Sequence, residues 1–151
     1  MHGPMDALWL QPPARLAIWC VRLASLQRAL CPGFEAALQD ALGRDRALRV
    51  WCAGQVLALA GARAPQRPTQ SPFATGISFE EEILLEGLYA AQSADDARRH
   101  RCARAYAPAM PIVAAKAMTE IAAGFTAAGF EFDAPLGHVR ATRAPLTSAK
   151  P

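Results

Sequence analysis

The sequence predicts an all-α protein: a compact bundle of five or six helices, in two three-helix halves joined by a Pro-rich linker, with a disordered C-terminal tail. Three observations lead there. Apolar residues make up 52% of the 151, enough to fill a core, yet aromatics supply only 7% and Ala and Leu dominate. Ala and Leu lose little conformational freedom in a helix, whereas strands are built from β-branched and aromatic residues. Apolar positions also recur at three- and four-residue steps through several segments, and the prolines gather between those segments.

Pro13, in a favoured first-turn place, opens a first helix expected to run to about Leu30. Leu16, Trp19, Cys20, Leu23, Leu26 and Leu30 form its apolar stripe, and Arg15, Arg22 and Arg28 occupy the other side. Cys31-Pro32-Gly33 breaks it. A short second helix from Phe34 to Leu42 presents Phe34, Ala37, Leu38 and Ala41 on one face and stops at Gly43. The third helix, Arg44 to Ala62, begins charged and turns apolar almost all round from Val50, the pattern of a central helix.

Prolines 65, 68 and 72 among Gln, Thr and Ser mark the clearest boundary in the chain. They divide it into an N-terminal half (1–62), a linker (63–77), a C-terminal half sharing the core (78–133) and a basic tail (134–151). Ser78-Phe79-Glu80-Glu81 reads as a capping box with Ser78 as N-cap and Glu81 three residues on, ahead of a buried helix carrying Ile83, Leu84, Leu85, Leu88 and Tyr89. Ser93 or Asp95 caps a fifth helix over Asp96–Ala107. Pro111 opens a sixth, with Ala114, Ala117, Met118, Ile121 and Phe125 buried, Lys116 and Glu120 outside, and Gly129 as its end. Phe130-Glu131-Phe132-Asp133 is placed back against the bundle. The polar, Pro-containing tail beyond is expected to be disordered.

The net charge of +3 conceals an uneven distribution: +4 over residues 1–76, −4 over 77–133 and +3 in the tail. Halves of opposite sign can face each other or join copies head to tail. Four cysteines make no disulfide framework in a chain of this size. Cys20 and Cys31, on one unbroken helix, would stand roughly 16 Å apart, too far for a bridge. Cys20 and Cys52 follow tryptophans on apolar faces and read as buried structural thiols; Cys31, at a helix end, is the one to test for reactivity. The longest apolar run, Val50–Ala62, is too short to cross a bilayer, and a cytoplasmic location is expected. Met5 offers an alternative start to Met1.

Among candidates for chemistry, Arg98, Arg101 and Arg104, with His100 between them, share one arc of the fifth helix and could meet an anionic partner. The blander alternative is a solvated face pairing with neighbouring acids. Arg99 falls in the apolar sector and is expected to be partly buried, ion-paired with Glu82 or Glu86. Glu80, Glu81, Glu82, Glu86 and His100 lack the Glu-x-x-His steps of a carboxylate metal site, and His100 and Cys102 point to opposite sides of a helix. Phosphate-binding glycine loops are missing from the sequence as well. No cofactor or metal is expected. The reading that follows is a non-enzymatic helical module (adaptor, chaperone-like or assembly subunit) with a protein partner or a second copy. Its rivals are a nucleic-acid-binding regulator using the Arg98–Arg104 face and a membrane-surface binder using the first helix.

Overall fold

The computed structural model describes residues 12–26, 32–62 and 76–133. Within them the chain forms six α-helices: α1 (Pro12–Ser25), α2 (Pro32–Leu42), α3 (Arg44–Ala62), α4 (Phe79–Gln92), α5 (Asp96–Tyr106) and α6 (Pro111–Ala127). The α3–α6 contact is the most extensive; α1 and α2 lean on α3, and α4, α5 and α6 pack on one another. One continuous core includes Ile18, Leu38, Val50, Leu57, Leu84, Leu88, Met118, Ile121 and Phe125. The expected all-α bundle is what the chain forms. The expected tail, most of the linker, Leu30 and Cys31 lie outside the described residues.

Local signals account for the element ends. Gly43 adopts φ +88°, the left-handed turn that closes α2, and its amide returns to the Gln39 carbonyl at 2.7 Å. The Arg46 guanidinium reaches back to the Leu42 carbonyl (3.0 Å), occupying one of the acceptors a helix end leaves over. Ser78 and Glu81 complete the capping box, Ser78 Oγ accepting from the Glu81 amide at 3.1 Å and Glu81 Oε1 from the Ser78 amide at 3.0 Å. Of the two candidate caps for α5, Asp95 serves, accepting from the Arg98 amide at 3.1 Å.

Close packing explains why glycine stands within α3. A Cβ built on Gly54 would lie 2.6 Å from Cys20 Sγ, so α1 approaches α3 at a distance no other residue permits. A Cβ on Gly124 of α6 would likewise meet Val50 Cγ2 at 2.6 Å. After α6, Phe130 and Phe132 turn back as expected: their rings stand 6.3 and 5.2 Å from that of Phe125, near edge-on, and Phe132 is buried. Gln92 ties this return down, accepting from the Phe132 amide (2.7 Å) and donating to the Phe130 carbonyl (3.0 Å) and Thr126 Oγ1 (2.8 Å).

Three expectations need correction. In α1, Ala17, Ile18, Cys20 and Val21 are fully enclosed while Leu16 and Trp19 are only half-buried, and Arg22, assigned to the polar side, is 2% exposed. In α2 the buried set is Phe34, Leu38 and Leu42, with Ala37 in solvent. In α3 the face away from α1 and α6 is open: Leu48 is 61% and Leu59 66% exposed, Val56 is partly so, and Cys52 stands on the surface rather than in the core. An apolar-all-round sequence does not guarantee that enough helices surround it.

Candidate functional sites on α5, α1 and α3

The basic face of α5 begins from Asp95, whose cap fixes the start of the helix and so the direction of each arginine. Arg98 points back along the helix toward α4, where its Nε donates to Glu86 Oε2 at 3.0 Å and its guanidinium lies 5.6 Å from the centre of the Tyr89 ring. Arg99 turns the other way, toward α6. Its Nη1 donates to Thr119 Oγ1 at 2.5 Å, and Nη2 stands 3.6 Å from Asp96 and 3.3 Å from His100 Nε2.

The carboxylates therefore sort differently from expectation. Glu86 takes Arg98, and the ion pair at Arg99 is with Asp96, one turn earlier on its own helix. Arg99 is half-buried, and its Nε is enclosed with no partner. Glu82 sits half-buried on α4. Of the three arginines assigned to an anionic partner, Arg101 and Arg104 are exposed one turn apart, and Arg98 is engaged within the bundle. Two guanidiniums hold far less of a phosphate backbone than the six to ten contacts of a typical reader.

The strongest polar arrangement is one that sequence reading missed. Arg22 Nε donates to Glu81 Oε2 at 2.7 Å, and Nη2 donates both to Glu81 Oε1 (2.9 Å) and to the Gly76 carbonyl (2.6 Å). This is a two-pronged guanidinium–carboxylate fork, the strong form of the charge-assisted bond. Both groups are buried, so the pair is dry, and Glu81 serves it while capping α4. Its role is structural: it fixes the start of α4 against α1. A signal existed, since Arg22 is flanked by Val21 and Leu23 and faces Ile18 and Leu26 at helical spacing.

Among the described residues, no three His, Cys, Asp or Glu side chains gather where they could hold a metal ion, and no helix is long and apolar enough to cross a membrane. The shallow cleft between α4 and α6, lined by Ala91, Gln92, Thr119, Ala122 and Thr126, carries no acid, base or thiol. Its two hydroxyls donate to the carbonyls one turn back, Thr119 to Ala115 (3.1 Å) and Thr126 to Ala122 (2.8 Å).

Three thiols among the described residues are free: Cys20 and Cys102 buried, Cys52 exposed. Burial, and secondarily the neighbouring Cys52, pushes the Cys20 thiol up from 9.0 to about 12. Because the folded value lies above the unfolded one, the contribution of this protonated thiol to stability is whole below about pH 9 and is lost as pH rises toward 12. Near neutral pH, a maleimide is expected to modify Cys52 readily and to reach Cys20 and Cys102 only after denaturation. Mass mapping of the labelled peptides tests this; Cys20 reacting as fast as Cys52 would contradict the packing of α1 on α3.

No protein-family model, no curated protein sequence and no solved structure matches the chain.

Proposed function

We propose that the protein is a non-enzymatic, cytoplasmic helical interaction module, an adaptor or assembly subunit that acts by presenting the open face of α3 to a protein surface. The observation that carries this reading is the exposure of Leu48 and Leu59 on the same side of a well-packed helix, with Val56 beside them. Scattered apolar residues on a surface are ordinary; a row along one helix marks a contact. The free thiols suit a reducing compartment. A nucleic-acid reader using α5 is less well supported, because Arg98 is held by Glu86 and Tyr89.

Site-specific photocrosslinking in the living cell tests the reading. A photoreactive residue at Leu59 is expected to give a discrete adduct, with a second copy or with another protein, that disappears in a Leu48→Glu background. The same residue at Arg104, on α5, is expected to give none. Adducts at Arg104 and not at Leu59 would overturn the proposal.

A further inference from the structure

We draw no further inference here: the strongest candidate, the exposed apolar face of α3 bearing Leu48, Val56 and Leu59, belongs to the site already described, and nothing in the structure shows what covers it.

Discussion

Replacing Glu81 with alanine is expected to destabilise the protein by about 3–5 kcal/mol, the range measured when one member of a buried ion pair is removed. That is a large share of the 5–15 kcal/mol by which domains of this size are held folded. The reason is less the loss of the pair than what remains. The Arg22 guanidinium is almost wholly out of water, and with Glu81 gone it loses that counter-charge while keeping the Gly76 carbonyl as an acceptor. The same substitution also removes the reciprocal half of the capping box. Ser78→Ala measures that contribution alone and is expected to cost about 1 kcal/mol. The double variant Arg22→Met, Glu81→Met removes both charges, and is expected to recover much of the loss because a dry apolar pair needs no desolvation. Urea titrations of the four proteins decide the matter; a Glu81→Ala loss no larger than that of Ser78→Ala would mean that Arg22 reaches water.

Phe125→Ala is expected to cost a comparable amount, about 3–5 kcal/mol for a fully enclosed phenylalanine. The ring projects from α6 and is covered by Phe130 and Phe132, so its removal leaves a cavity that the returning segment must either fill or abandon. Hydrogen exchange separates those outcomes. Loss of protection at the Phe132 amide, which donates to Gln92, would show that the return has come away; retained protection would show collapse around the void. Phe125→Leu keeps most of the volume and is expected to cost less than half as much. A variant as stable as the parent would contradict the aromatic cluster altogether.

Much of this architecture was legible from residue order because the informative signals are local. Ser78 and Glu81 sit three apart, Gly43 and Gly129 supply the left-handed turns that end α2 and α6, and Pro111 sets the first turn of α6. The core-facing stripe of α6 followed from spacing alone, since its polar residues Lys116 and Glu120 are confined to one side. Where reading failed, the deciding partner was distant. Arg22 is inside because Glu81, 59 residues on, is there to meet it. The spacing of the α1 stripe puts Arg22 on the polar side and has no means to see the counter-charge that lets it lie inside. The expected central place of α3 fails for the opposite reason: periodicity reports how apolar a helix is, and burial depends on how many neighbours arrive to cover it.

The fate of the arginines on α5 shows the same limit at shorter range. Arg98 and Arg99 are adjacent, and at 100° apart they diverge to α4 and α6. Sequence placed Arg99 correctly in the apolar sector. It could not tell which helix lay there, and so offered it the carboxylates of α4 when α6 provides the Thr119 hydroxyl instead.

The carboxamide of Gln92 imitates the edge of a sheet. One acceptor and one donor, presented together to the backbone on either side of residue 131, offer what a neighbouring β-strand would offer. A helical protein thereby finishes an extended stretch of chain without supplying a strand to pair with it. The mimicry hangs on a single nitrogen: conversion of this side chain to the acid, as happens when glutamine ages by deamidation, would keep the acceptor for Phe132 but aim oxygen at the Phe130 carbonyl oxygen. Loss of that donor would leave the returning segment tied to this side chain by the Phe132 amide alone.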